Sequence, residues 1–473
     1  MSTFAGVWSV PTFISGVSDA ELDAIRSLFA VWQAKYPRNK VRSDYYDMKV
    51  RIKPTGNMPA EAIARVEAVS DWPEKSVSAL AERSVFEGFV SPSEAQDPFD
   101  LGGLLDANRF DLELPQAISS SYKHSCSFMT TAVGDVLSGE PEVLIMAREA
   151  LWTAARWDSR RRAVRDVLCV TETDELGQPT AMDVLFPDVV LSLSRRPSGA
   201  WVADRRSNPL NEVLAEPLAH DPQLGRPFGR SRISRTVMNL TDRAMLTVIR
   251  SEIASDFYAA PRMYALGVTE EVFARGKWQA AIDSWFAISK DENGEAPSVG
   301  QFPQMTMQPL TDMYRTIATQ FSGATGVPVD ALGIVTDNPP SAEAIYASDR
   351  RLTNTARAQN RIFTASLKRV AQRVVKLRDG DRAREDELAQ IDVSWANPAF
   401  TSPATSADAL VKLSSVFPWL SESEVALEFA GFSHAEITRL LSDKRRAAGS
   451  SLLERALARQ AAQEPVVPGD VEA

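Results

Sequence analysis

Cysteine and histidine are scarce in this chain of 473 residues. Its 2 cysteines, Cys126 and Cys169, exclude a disulfide scaffold and a cysteine-rich zinc protein. The 3 histidines, His124, His220 and His434, lie far apart and form no helix-spaced metal pair. No stretch approaches the ~18 apolar residues needed to span a bilayer. Met1 to Gly16 carries no Lys or Arg, so the basic start of a signal peptide is missing. Positive charge is in deficit as well: 52 Lys+Arg against 62 Asp+Glu leave a net charge of −10. That balance speaks against a conventional nucleic-acid binder, which carries a strongly basic domain. The expectation is a soluble intracellular protein with no membrane partner. What is present is ordinary globular material, 44% hydrophobic and 24% charged, which excludes wholesale disorder. The length suggests about three structural units.

Catalytic signatures are also missing. No Gly-x4-Gly-Lys-Ser/Thr loop exists, since Gly276-Lys277 runs into Trp278 without the upstream glycine. Gly229-Arg230-Ser231 lacks the closing glycine of a nucleophile elbow, because residue 233 is Ile, and Ser231 reads as a loop serine. Cys126 beside His124 reads as a buried cysteine, because a nucleophile needs a placed base in an electropositive setting. Asp158 among Arg156, Arg160, Arg161, Arg162 and Arg165 reads as a solvated turn or a subunit contact. Carboxylates are plentiful but show no two-metal spacing; Asp330 and Asp337 merely share a loop. Neither catalytic residue, metal site nor cofactor is expected.

The pattern along the chain is helix first, then sheet. Ser18 and Glu21 form a capping-box pair ahead of Leu22, Ile25, Leu28, Phe29 and Trp32 at helical spacing. Further helices are expected from about Pro59, with Ile63, Val66 and Val69 on one side, and over Lys75–Phe86, Leu101–Phe110 and Pro115–Thr131. Val143–Ala147, Asp166–Thr171, Ala181–Phe186, Val189–Arg195 and Ala200–Arg205 read as strands of one antiparallel meander, separated by turn chemistry. The order points to α+β. After a Gly- and Pro-containing loop, Thr236–Tyr258 is expected as one helix of roughly 30 Å. A small insert over 262–306 follows, with a strand at Arg262–Val268, a short helix around Trp278–Trp285 and the polar loop Lys290–Glu295. A second helix is expected over Pro309–Phe321, then a loop from Gly323 to Pro340.

Ser341 then caps the longest helix, whose apolar positions Ile345, Leu352, Ala356, Phe363, Leu367, Val370, Val374 and Leu377 recur at intervals of 3, 4 or 7. Its polar side carries nine basic residues between Arg350 and Arg378 against Glu343 and Asp349. Short acidic helices are expected beyond Asp379, over Ser406–Val416, Ser421–Ala430, His434–Ala447 and Leu452–Ala462.

Several strings carry a resemblance when taken in order. They are Tyr45-Tyr46-Asp47; Pro227-Phe228-Gly229-Arg230-Ser231-Arg232-Ile233; Gly326-Val327-Pro328 followed by Asn338-Pro339-Pro340-Ser341-Ala342-Glu343-Ala344-Ile345; and Trp395-x-Asn397-Pro398 followed by Ala407-Asp408-Ala409-Leu410-Val411-Lys412-Leu413. Over about residues 18 to 445 the chain resembles a phage portal protein of long-tailed actinobacteriophages. The resemblance implies a portal fold: an α/β wing over 1–235, stem helices over 236–261 and 307–322, and a small α/β clip over 262–306. It further implies a tunnel loop over 323–340, a long tunnel-side helix over 341–378 and a helical crown over 379–473. The function implied is a ring, usually of twelve subunits, at one capsid vertex. Such a ring is a conduit for double-stranded DNA during packaging and ejection, and a platform for terminase and head-tail connector proteins. The implied partners are further copies of the chain, duplex DNA, the terminase large subunit, a head-tail adaptor, the major capsid protein and a scaffold. The implied location is the virion, with assembly in the host cytoplasm.

Under that resemblance the tunnel loop places Val327, Pro328, Val329, Asp330, Thr336, Asp337 and Asn338 along the DNA channel. The clip places Lys290, Asp291, Glu292 and Glu295 against partners, although this polar loop departs from the family pattern. A twelvefold ring carries roughly 12 × (−10), near −120 formal charges. Each basic side chain held on phosphate would add a salt slope of about 0.9 and act as a brake when repeated around the ring. Residues 327–340 contain Asp330 and Asp337 and no Lys or Arg, which suits free passage. Arg350, Arg357, Arg361, Arg369 and Arg373 are therefore expected to meet acidic surfaces of neighbouring subunits, the alternative being a solvated face. A DNA-processing enzyme of the packaging machinery and a non-channel structural adaptor are the competing functions.

Overall fold

A computed structural model describes residues 11–52, 66–91, 97–259, 263–266, 298–301, 306–334, 342–382, 384–399, 403–432, 436–437 and 439–447. Contacts divide the chain into two units, Met1–Pro398 and Ala399–Ala473, where length alone suggested three. The start of the helix expected near Pro59 lies outside the described residues, and Val66 and Val69, expected on its apolar side, lie in irregular chain with Val69 exposed. The helices expected over Leu452–Ala462 and around Trp278–Trp285 also lie outside the described residues.

In the first unit, strand β1 (Ile14–Ser15) leads into helix α1 (Asp19–Tyr46). Ser18 caps α1 as expected: the Glu21 N–H donates to Ser18 Oγ at 3.4 Å, and the Ser18 N–H donates to the Glu21 carboxylate at 2.8 Å. The stripe Ile25, Leu28, Phe29 and Trp32 is buried, and the helix runs on through Pro37 to Tyr46. Helix α2 (Trp72–Ala81) then gives way to strand β2 (Phe86–Val90), so the helix expected over Lys75–Phe86 ends early. Helices α3 (Leu101–Ala107) and α4 (Phe110–His124) are separated by Arg109 at φ +50°.

The helix expected over Pro115–Thr131 is interrupted. Ser125, at φ +103°, ends α4, and Cys126–Val133 is strand β3. Tertiary pairing overrides local periodicity here, because β3 lies between strand β4 (Val143–Glu149) and strand β10 (Ala215–Ala219). Val143–Ala147 therefore belongs to this three-stranded sheet and not to the meander. The meander itself comprises β5 (Thr153–Asp158), β6 (Ala163–Thr173), β7 (Pro179–Leu185), β8 (Val189–Arg195) and β9 (Trp201–Ser207), with β1 parallel to β9. Strand β5 is an addition to the sequence reading. Asp158, the last residue of β5, holds the turn that follows, accepting the Arg160 and Arg161 N–H groups at 2.8 and 3.0 Å. The apolar face of α1 packs on the meander through Leu168, Met182, Val184 and Leu191.

Helix α5 (Arg235–Ala259), strands β11 (Met263–Leu266) and β12 (Ser298–Gln301), helix α6 (Gln308–Thr325) and the 38-residue helix α7 (Ala342–Asp379) follow the expected order. Short helix α8 (Glu385–Leu388) precedes strand β13 (Asp392–Trp395), which returns to pair with β2. Helix α7 is the axis of the largest core: Leu352, Ala356, Phe363, Leu367, Val370 and Val374 are buried among residues of α2, α4 and α6. The second unit contains helices α9 (Pro403–Val416) and α10 (Glu424–Ala430). Among the described residues no helix is long and apolar enough to cross a membrane.

Candidate functional site

Helices α5 and α6 pack side by side, with Arg243 donating to Gln320 across the pair at 3.2 Å. Their base is held by the loop 227–233. Gly229 adopts φ +67°, and a Cβ there would lie 2.0 Å from the His220 carbonyl oxygen. No side chain fits. Ser231 Oγ donates to the Lys123 carbonyl and accepts the Ile233 N–H, so this serine is structural. Arg232 ties three elements together: its backbone N–H donates to Tyr122, its Nε to the Ser76 carbonyl and its Nη2 to the Thr325 carbonyl at 2.8 Å. Gly229→Ala is expected to lose about 2–3 kcal/mol of unfolding free energy, from left-handed strain and overpacking together. Urea titration measures it, and a loss below a few tenths would contradict this account of the loop.

At the C-terminal end of α6, beside that loop, Gly326 at φ +81° turns the chain back on itself. The turn carries Val327 into the core, fully buried (0% exposed), with Leu332 beside it and Val329 and Ile334 partly buried. This corrects the expectation that Val327 lines a channel: its side chain is a core group of the chain's own fold. Asp330 is exposed and Pro328 half-buried, so Asp330 offers its carboxylate to solvent. Lys75 Nζ donates to the Ala331 carbonyl at 2.9 Å, and Arg351 donates to Gly323 at 2.6 Å, pinning the segment from both sides. Thr336, Asp337 and Asn338 lie outside the described residues.

The basic side of α7 divides in two. Arg373 is only 5% exposed, and its Nη2 lies 3.5 Å from the Glu216 carboxylate, with Glu212 at 3.8 Å from Nε. Arg369 Nε reaches the other Glu216 oxygen at 3.1 Å. These two residues are corrections: their acidic partners belong to the same chain, because β10 runs alongside α7. The contact is continuous, since Gln359 donates to the Ala219 carbonyl at 2.9 Å and Ser366 to that of Pro217 at 2.8 Å. Side chains of α7 thus occupy the outer edge of β10, where a proline is tolerated because no ladder N–H is needed. Lys368, Lys376 and Arg378 also find carboxylates in the chain. Arg357 donates to the Asn397 side chain at 3.2 Å. Arg350 and Arg361 are exposed and have no partner among the described residues.

A family model described as "Phage portal protein, SPP1 Gp6-like" matches residues 234–449. The portal protein of Mycobacterium phage D29 is 26% identical over 403 residues, 83% of this chain and 82% of that protein. The portal protein of Mycobacterium phage L5 is 26% identical over 383 residues, 78% of this chain and 77% of that protein. Over most of its length the chain is similar to phage portal proteins.

Within this chain the strings that carried the resemblance work as joints. Tyr45 donates to both Asp242 carboxylate oxygens at 2.9 and 3.0 Å, fastening α1 to α5. Trp395 Nε1 donates to Thr364 at 2.8 Å, fastening β13 to α7. Sequence reasoning missed Arg232, Gln359 and Ser366, whose roles depend on distant carbonyls. The expected clip contacts Lys290, Asp291, Glu292 and Glu295 lie outside the described residues. Cys126 is a core residue whose thiol burial pushes up to about 12, so it stays protonated. His124 Nε2 meets Ser43 Oγ at 2.9 Å instead of a nucleophile.

Proposed function

We propose that copies of this chain close into a ring, twelve in number, that conducts double-stranded DNA at one capsid vertex. In this reading the N-terminal α+β region is the wing, α5 and α6 the stem, and 262–306 the clip. The segment after Gly326 leads into the tunnel loop, α7 crosses the wing, and the C-terminal helices form the crown. The clip meets the terminase large subunit and later a head-tail adaptor, and the outer wing meets the major capsid protein. The observation that carries the reading is the order helix pair, two-stranded module, anchored turn and long helix inside the matched stretch 234–449. Electrostatics support it. Asp330 is the single charged residue among the described residues of 327–334, so a bore edged by this turn is anionic and does not hold phosphate. Exposed Arg350 and Arg361 remain the basic groups for a neighbouring subunit's carboxylates. The chain itself performs no chemistry, and double-stranded DNA passes without sequence readout.

Electron micrographs of the purified protein test this. End-on views are expected to show a ring with a central hole wide enough for duplex DNA. A uniform monomer at micromolar concentration overturns the reading, and sustained ATP hydrolysis by the pure protein overturns the absence of chemistry.

A further inference from the structure

Two features at opposite ends of β3 have no role in the fold described so far. The first is the tip of the β3–β4 hairpin, residues 134–142. Leu137 is 100% exposed and its neighbour Val136 62%, so two adjacent large apolar side chains stand outside every core of the chain. The tip is nevertheless built. The Leu137 N–H donates to Asp135 at 3.1 Å, the Asp135 N–H donates to Glu140 at 2.8 Å, and Gly134 N–H donates to the Glu142 carbonyl at 3.0 Å. A Cβ on Gly134 would lie 1.9 Å from the Pro141 oxygen, so the turn is tightly closed. Asp135, Glu140 and Glu142 are exposed around Leu137, and residues 134–142 include no Lys or Arg.

The second feature is a cleft of about 410 Å³ between α1, the start of β3, β5 and the loop 225–230. Its lining holds Lys35, Arg38, Arg42, Arg226 and Arg230 and not one carboxylate. Arg230 pairs with Asp221, but no acidic group among the described residues reaches Lys35, Arg38 or Arg226. Arg42 spends Nη1 on Asn39 and the His124 carbonyl, leaving Nε and Nη2 without a partner among the described residues. Phe128, Phe228 and Ala154 supply apolar lining to the same cleft. Five cations around apolar lining, in a chain of net charge −10, call for an apolar group flanked by carboxylates. Duplex DNA is a convex rod with phosphates on its outside and offers no apolar group for the aromatic rings.

We propose that the Leu137 tip of one copy seats in the Lys35–Arg38–Arg42 cleft of the next, as the head-to-tail contact of the assembly. The 8 residues of β3 separate the two features by roughly 25 Å, at about 3.3 Å per residue. Distinct complementary patches at opposite ends of one rigid element make a heterologous interface, and such an interface closes into a ring when its rotation permits. The inference rests on the ring reading above and names the residues of its contact.

The test compares Leu137→Asp and Arg38→Glu with the wild type by mass photometry and negative-stain images. Both positions are exposed, so thermal melting of the monomer is expected to be unchanged. Ring particles are expected to be lost in each variant and to return when Arg38→Glu is combined with Glu142→Arg in the same chain. A second readout uses cysteines: Lys35→Cys with Leu137→Cys is expected to give a ladder of disulfide-linked oligomers under oxidation. The native Cys126 and Cys169 are buried and add little background. Absence of rings in the wild type overturns the ring reading. Wild-type rings that persist undiminished in Leu137→Asp, with no ladder, overturn this contact alone.

Discussion

Arg373→Ala is expected to lower the unfolding free energy by about 3–5 kcal/mol, the usual cost of stranding one partner of a buried ion pair. Glu216 is 6% exposed on β10, where burial raises its pKa and the charges of Arg369 and Arg373 pull it back down. Removing Arg373 leaves the carboxylate with Arg369 alone, which is half in water. The pair is not strongly stabilising in itself, since Arg373 Nε and Nη1 have no hydrogen-bond partner among the described residues. Replacing both groups, as Arg373→Met with Glu216→Leu, is therefore expected to return the protein to within about 2 kcal/mol of wild type or above it. Urea titration of the three variants closes the cycle. If Arg373→Ala alone costs less than about 1 kcal/mol, the pair is not the clamp described here. The consequence for function is positional: the pair fixes the far half of α7 to the sheet, and α7 follows the turn proposed to edge the bore.

Acidification from pH 7.5 to 5 is expected to destabilise the fold by on the order of 4 kcal/mol, about half from each of two histidines. Burial is the leading cause of both shifts and depresses His124 to about 3 and His220 to about 4. The His220 Nδ1 donates to the Arg230 carbonyl at 2.6 Å, a bond that by itself favours the charged ring, and burial outweighs it. The unfolded chain takes up protons near pH 6.5 while the folded chain does not, so stability is complete above that value and falls below it. Glu216 titrates in the opposite sense: burial raises its pKa, so the folded chain takes up this proton above the usual carboxylate range and offsets part of the loss. The measurement is the thermal midpoint at fixed ionic strength from pH 7.5 to 5. A flat profile contradicts the burial of these rings, and a His124→Gln variant is expected to lose about half of the slope.

The helical elements were legible where one stripe carried them. Helix α1 follows from Ser18, Glu21 and the run to Trp32, and α7 from apolar intervals of 3, 4 and 7 over its whole length. The strands β6 to β9 follow from short β-branched runs between Gly- and Pro-containing turns. Strand β3 did not, because Ser127 to Thr131 is compatible with either state until β4 and β10 flank it. The family resemblance was likewise legible, since it rests on strings and their order.

The fate of the charged residues was not legible. Nine cations on one side of α7 look alike in sequence, but Arg373 is buried on Glu216 while Arg361 faces solvent. The difference comes from β10, more than 140 positions earlier, arriving alongside the helix. Val327 shows the same limit, since only the turn at Gly326 decides that a loop valine becomes core. Sequence by itself determined composition, helix periodicity, turn chemistry and the family resemblance, all of which depend on neighbours within a few positions or on order. Tertiary structure alone decided which charges are paired, which apolar groups are left outside and which cleft collects cations. Those depend on distances between segments far apart in the chain, and Coulomb and burial energies are set by such distances.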